Sequence, residues 1–273
     1  MEATLLGTLQ YRYLQNKLNN KKMYNKEQLL QTIFFDIETV SGCNYYSDLY
    51  NDIECDYLLQ DFHKFMGARN SKGFDEFISK RALYKQFAGL YPEFGKIVSI
   101  SCGVIHGFDT IGNTLTPITI ITKRHFNDRN EPEKELLKWF LDLCHKINYG
   151  SSKYQYLCGH NIKGFDVPYV IKRLHINGMH TMPAALQIYG KKPWELHHFI
   201  DTKDIWKSGG NDGGTSLDII CKCLGIPTPK GGIDGSQVCE YYWEKGEIET
   251  IAEYCNRDVE AVINVLVKLC GIK

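Results

Sequence analysis

Four carboxylates and a tyrosine stand in contexts that can do metal chemistry. They are Asp36 and Glu38 in Phe35-Asp36-Ile37-Glu38-Thr39, Asp166 in Asn161-Ile162-Lys163-Gly164-Phe165-Asp166, and Tyr254 with Asp258 in Tyr254-Cys255-Asn256-Arg257-Asp258. Asp36 and Glu38 interrupt an apolar run, Thr32 to Val40, that otherwise reads as a buried strand. Strand side chains alternate faces, so both acids project to one side. Two like charges at the edge of an apolar strand repel each other and resist losing their hydration. A divalent cation removes both penalties, which makes metal binding the leading explanation. Tyr254 and Asp258, four residues apart in a predicted helix, share one face. There a hydroxyl and a carboxylate can jointly hold a water and a metal. The later motifs carry little singly. Tyr-x-x-x-Asp arises often by chance, Asp166 suits a first helical turn through the macrodipole alone, and Asn161 suits a turn or cap.

The elements that must hold these groups follow from periodicity. Residues 1 to 30 are polar, with Leu9, Tyr13, Leu14 and Leu18 at roughly helical intervals, and read as an appended helix or arm. After the strand Thr32 to Val40, residues 41 to 94 read as an insertion containing a helix around Asp75 to Phe87. A strand over Lys96 to His106 and another over Thr116 to Thr122, joined through a Gly-Asn turn, form a hairpin. Helices are predicted over Glu131 to Ile147 and over Gly164 to Ile176, the latter with Pro168 tolerated in its first turn, and a short strand, Tyr154 to Gly159, lies between them. Ile200 to Trp206 reads as a strand or as a turn and helix. Glycine-rich loops flank a helix from Ser216 to Leu224, and a long helix runs from Glu247 to Leu269. Strands in succession, then alternating helices and strands, predict an α/β domain with a mixed sheet and helices on both faces.

The chain has 273 residues, with Lys plus Arg and Asp plus Glu at 32 each. It is long enough for a full core and has no global basic field to gather nucleic acid nonspecifically. Any nucleic-acid reading must rest on local charge or metal ions. The ten cysteines form no framework: Cys221 and Cys223 are too close for ordinary zinc pairing, and no Cys-x-x-Cys occurs. No leader-like or membrane-length apolar segment is present, so the expectation is a cytoplasmic protein with reduced, mostly buried thiols.

Taken together the motifs resemble the DEDD superfamily of 3′-5′ exonucleases, with Tyr254 indicating the tyrosine subclass. The surrounding text is similar to stand-alone proteins related to the proofreading exonuclease domain of family B DNA polymerases. Besides the three motifs, the likeness runs through Tyr91 to Ile100, Gly159-His160-Asn161, Val167-Pro168 and Ser216-Leu217-Asp218, and covers most of residues 31 to 273. It implies a ribonuclease H-like α/β fold, a single domain with a helical insertion at about 41–94, and hydrolysis of phosphodiester bonds with two Mg²⁺ or Mn²⁺ ions about 3.5–4 Å apart. By this likeness Asp36 bridges both ions, Glu38 and Asp258 complete the site carrying the nucleophilic water, and Asp166 holds the second ion. Tyr254 orients that water. A phenol of ordinary pKa near 10 is a poor base at pH 7.

Further substrate contacts are expected of Asn161, with Thr39, Phe165 and Lys230 each balanced against a plain structural role. These are strand-end backbone satisfaction for Thr39, core packing for Phe165 and a solvated loop for Lys230. His160 reads as structural, and Asp201 and Asp204 as turn or capping residues in preference to carboxylates supporting the site from behind. His197-His198 has no partner at metal-ligand spacing. The expected substrate is the 3′ end of single-stranded DNA, released as nucleoside monophosphates. An RNA 3′ exonuclease of the same subclass and a catalytically silent nucleic-acid-binding module are the alternatives. The chain ends fifteen residues after Asp258, so proofreading is expected only in trans, alongside replication or repair proteins. The aromatic content of the insertion, Tyr45, Tyr46, Tyr50, Phe62 and Phe65, suits either a stacking surface or a small helical subdomain.

Overall fold

A computed structural model describes residues 23–44, 53–69, 79–111, 114–125, 133–146, 153–192, 195–210 and 214–272. The appended helix expected over Leu9 to Leu18 and the tyrosines at 45, 46 and 50 lie outside the described residues. The first described element is the short helix α1 (Lys26–Leu30). It is closed by a capping box in which Asn25 accepts from the Gln28 N–H and the Gln28 side chain reaches back to the Asn25 N–H. Strand β1 (Thr32–Ser41) follows at once. Its odd residues Ile33, Phe35 and Ile37 enter one apolar core, and Phe34 enters another on the opposite face. Burial on both faces marks a central strand.

Helices α2 (Ile53–Ala68) and α3 (Lys80–Phe87) connect β1 to β2 (Gly95–Ile111), which turns back into β3 (Thr114–His125). Helix α4 (Glu133–Cys144), strand β4 (Tyr156–Gly159), helix α5 (Asp166–Ile176) and strand β5 (Phe199–Asp201) come next. Helices α6 (Thr202–Lys207), α7 (Leu217–Leu224) and α8 (Ile248–Leu269) follow, with short helical turns over Val238–Glu240 and Tyr241–Lys245 before the last. The sheet runs β3-β2-β1-β4-β5, antiparallel through β3, β2 and β1 and parallel through β1, β4 and β5. This is the ribonuclease H-like mixed sheet that the sequence implied. Helices α4 and α5 cover the face that receives Phe35 and Ile37, where Leu136, Phe140, Val170 and Leu174 are buried. Helices α7 and α8 cover the other face through Ile220, Val259, Val262 and Leu266. Each such side chain contributes about 1.5–3 kcal/mol on full burial.

The insertion is partly described. Helix α2 was not legible in the sequence because Cys55, Asp56, Tyr57, Asp61, Phe62 and His63 are weak helix formers. Ser79 caps α3 by accepting from the Ala82 N–H. The two helices enclose a small core of Phe62, Met66, Leu83, Tyr84 and Ala88, against which Phe65, Tyr91 and Phe94 pack. Phe62 is fully buried, which removes it from any stacking surface. The segment Ile200 to Trp206, open between strand and helix on sequence alone, is both: β5 ends at Asp201 and α6 starts at Thr202. Among the described residues no helix is long and apolar enough to cross a membrane.

Candidate active site

The even face of β1 carries Phe34, Asp36 and Glu38 toward α8. Phe34 is buried there against Val259, Val262 and Ile263, and the same helix brings Tyr254, Cys255 and Asp258 over the two acids. Cys255 donates from its thiol to the Asp36 backbone oxygen at 3.3 Å and to Asp36 Oδ2 at 3.4 Å. One ligand atom from each of Asp36, Glu38 and Cys255 lies within 4.8 Å of the others. Asp166 arrives from the other face of the sheet as the first residue of α5. The β1–β4 ladder stops at Phe34 and Cys158. Beyond it the N–H of Ile37 is free to donate to the Asp166 carboxylate, which also accepts from its own backbone N–H. The Tyr254 hydroxyl donates to Asp258.

The electrostatics follow from crowding. Glu38 and Asp166 are buried, and Asp36, Tyr254 and Asp258 half-buried. Burial, then the charges of Asp258, Asp166 and Glu38, hold the Asp36 carboxyl well above the usual range, against a small opposing effect of the Cys255 thiol. Glu38 is raised in the same way by burial and by Asp258 and Asp166. Burial pushes Asp166 up to about 7, opposed by its two backbone N–H donors. It also pushes Asp258 up to about 7, opposed by the Tyr254 hydroxyl and by the charges of Arg257 and Lys230. Burial and the neighbouring anions raise the Tyr254 phenol far beyond its ordinary value. Among the described residues no lysine or arginine forms an ion pair with any of the four acids. Carboxylates that resist ionisation and, among the described residues, form no ion pair offer hard oxygen donors, with the Cys255 thiol beside Asp36 and Glu38, and those oxygens fit Mg²⁺ or Mn²⁺.

A second layer of contacts shapes the rim. Asn161 sits in the left-handed region at φ 67. Asp201 holds it there, accepting from the N–H groups of Asn161 at 2.9 Å, Lys163 at 3.1 Å and Lys203 at 3.0 Å. Asp201 therefore caps α6 and braces the loop that delivers Asp166. The Asn161 side chain accepts from Lys203 Nζ at 3.3 Å. A Cβ at Gly164 would stand 2.7 Å from Asn161 Oδ1, so any side chain there would push the Asn161 amide away. His160 bridges Thr202 and the Thr215 carbonyl at 3.0 Å each, a structural tie as expected. Asp204 is exposed and pairs with Lys163. His198 is buried against the Ala185 carbonyl.

The Thr39 hydroxyl donates to the Gly89 carbonyl at 2.7 Å, so toward a substrate it has only acceptor capacity left. Phe165 is half-buried against the core and lines a cavity of about 160 Å³ with Arg69, Leu90, Tyr91 and Lys172. Arg257 donates to the carbonyls of Pro229 at 3.0 Å and Gly231 at 2.9 Å. That contact fastens the loop so that the charge of Lys230 acts on Asp258. Sequence reasoning had not singled out Arg257, Cys255 or the bracing role of Asp201. None carries a spacing signal, and their partners lie far away along the chain.

Residues 89–271 match the family described as "Predicted 3'-5' exonuclease related to the exonuclease domain of PolB". This chain belongs to that family. The matched region contains Asp166, Tyr254 and Asp258, whereas Asp36 and Glu38 precede it. Among solved structures, the family B DNA polymerase from the hyperthermophilic archaeon Pyrobaculum calidifontis is similar at 14% identity with a TM-score of 0.46. The alignment covers 87% of this chain and 24% of the polymerase chain. No curated protein sequence matches.

Proposed function

We propose that this family member is a metal-dependent 3′-5′ exonuclease that shortens single-stranded DNA from its 3′ end and releases nucleoside monophosphates. The observation that carries the reading is the convergence of Asp36, Glu38, Asp166 and Asp258, with Tyr254, from three elements distant in sequence. Asp36, Glu38, Asp166 and Asp258 would hold two divalent cations. When bound, such a pair supplies Lewis-acid stabilisation of the attacking and leaving oxygens in an in-line displacement.

The chain's own groups divide the remaining work. The Tyr254 phenol stays protonated at neutral pH, because its pKa is raised, and with its O–H given to Asp258 its oxygen accepts from the attacking water and orients it. The Lys230 loop, fastened by Arg257, offers positive charge beside Asp258 for the strand's phosphates. Phe165, half-buried and lining a cavity one residue before Asp166 in the chain, offers a face for base stacking, which tolerates any sequence. Asn161, whose backbone is braced by Asp201, has its side-chain oxygen held by Lys203 and would contact the strand through its amide NH₂. The family's relation to a DNA polymerase domain supports DNA over RNA.

End-labelled DNA and RNA strands, incubated with Mn²⁺ or with chelator, test the proposal. Metal-dependent 3′ shortening of DNA that disappears in Asp36→Ala is expected. Shortening of RNA alone would transfer the activity to RNA, and shortening of neither would leave only a binding module.

A further inference from the structure

Two serines lie directly beneath the strand acids. Ser101 is the cross-strand partner of Asp36, and Ser99 that of Glu38. Such partners share a face of the sheet, with Cβ atoms about 4.5–5.5 Å apart. The intervening Ile100 points into the opposite apolar core, as the alternation requires. Ser99 and Ser101 are both 0% exposed; the Ser99 hydroxyl has no hydrogen-bond partner, and the Ser101 hydroxyl has none of normal geometry although it lies within reach of the Cys255 thiol. Burying a hydroxyl without a partner is costly, and alanine would fill the same space without that cost. A hydroxyl in this condition points to an acceptor on the same face of the sheet. The two acids lie across the ladder on the same face and offer carboxylate oxygens, and the Cys255 thiol, close to Ser101, already donates to Asp36.

We infer that Ser99 and Ser101 are positioning residues whose hydroxyls donate to the ionised carboxylates of Glu38 and Asp36 and aim their free oxygens at the cations. The inference rests on the two-cation reading above. A lysine or arginine in these places would neutralise the acids and compete with a metal. A neutral hydroxyl orients a carboxylate and leaves its charge available, which is how groups behind metal ligands ordinarily act. Cys255, a weaker donor, gives Asp36 a second support from α8.

The test is calorimetric titration of Mn²⁺ into the nucleic-acid-free protein, for wild type, Ser99→Ala, Ser101→Ala, the double alanine variant and Ser101→Cys. Each single alanine variant is expected to bind Mn²⁺ more weakly, and the double variant on the order of 10–100-fold more weakly. Melting of the metal-free alanine variants should be unchanged or raised, because an unpaired buried hydroxyl is gone. Ser101→Cys, bulkier but still a weak donor, should fall between serine and alanine in affinity. A packing role predicts the opposite order, with alanine harmless and cysteine damaging in proportion to lost stability. Alanine variants that bind Mn²⁺ as wild type does, in a wild type that binds metal and shortens DNA, overturn the serine inference alone. A wild type that neither binds Mn²⁺ nor shortens either polymer overturns the two-cation reading and this inference with it.

Discussion

Replacing Asp166 by asparagine should stabilise the metal-free protein while abolishing its activity. The carboxyl of Asp166 is pushed up to about 7 from the model-peptide value of 3.8, chiefly by burial. At pH 8 the native state therefore holds an anion that the unfolded chain carries at far less cost. At 1.36 kcal/mol per pK unit, the gap amounts to about 4 kcal/mol. The sign follows from proton binding. An acid whose folded pKa is raised lends stability that is complete below pH 3.8 and is lost as pH rises through 7. Asparagine keeps an oxygen to accept from the Ile37 N–H and removes the charge. The variant should thus gain about 4 kcal/mol over wild type at pH 8. That gain corresponds to a melting shift on the order of 10 °C for a chain of this size. The advantage should shrink by about 1.4 kcal/mol per pH unit below 7 and nearly vanish at pH 4. Thermal melts and urea titrations in chelator across pH 4 to 8 measure it, and saturating Mn²⁺ should narrow the difference by stabilising wild type more. An asparagine variant that melts with wild type at pH 8, or a gain that does not change with pH, would refute the charge-crowding account.

Three other outcomes follow from the same coordinates. Tyr254→Phe should lose about 10²-fold in single-turnover cleavage, with an unchanged pH profile between 6 and 9, because the phenol stays protonated and is not a titrating base. Glu133 accepts from the Ile97 N–H, from Asn177 and from the Arg173 guanidinium, and its partner Arg173 is only 13% exposed. Glu133→Ala strands that buried charge and should cost about 3–5 kcal/mol in chemical denaturation. His198 is buried neutral, with its pKa pushed down to about 4 by burial. Stability present above pH 6.5 should fall by about 3 kcal/mol as pH drops toward 4, a loss that His198→Gln should largely remove.

Much of the site was legible because its signals are local. A period of two placed Asp36 and Glu38 together, and a spacing of four did the same for Tyr254 and Asp258. Asp166 stood where a helix begins. Strand and helix bounds came within a few residues wherever the apolar pattern was strong, as in β1, α5 and α8. Helix α2 escaped because its residues are weak helix formers, although packing of Phe62 and Met66 against Tyr84 overrides that propensity. Asp201 was read as a cap, and it is one. Its bracing of Asn161 and Lys163 depends on a chain reversal that no spacing announces.

Sequence alone determined which side chains share a face, because that follows from the geometry of a strand or helix. Only the tertiary structure decided which faces meet. Helix α8 packs on the even face of β1, so Tyr254 and Asp258 reach the acids, whereas its placement on the odd face would have kept them apart from Asp36 and Glu38. The register of β1 on β2 likewise set Ser101 under Asp36 and Ser99 under Glu38. Register and layer order are set by the summed burial of whole apolar faces. The chemistry of each residue was written in the chain, and the burial and crowding that raise the acids' proton affinity arose only on folding.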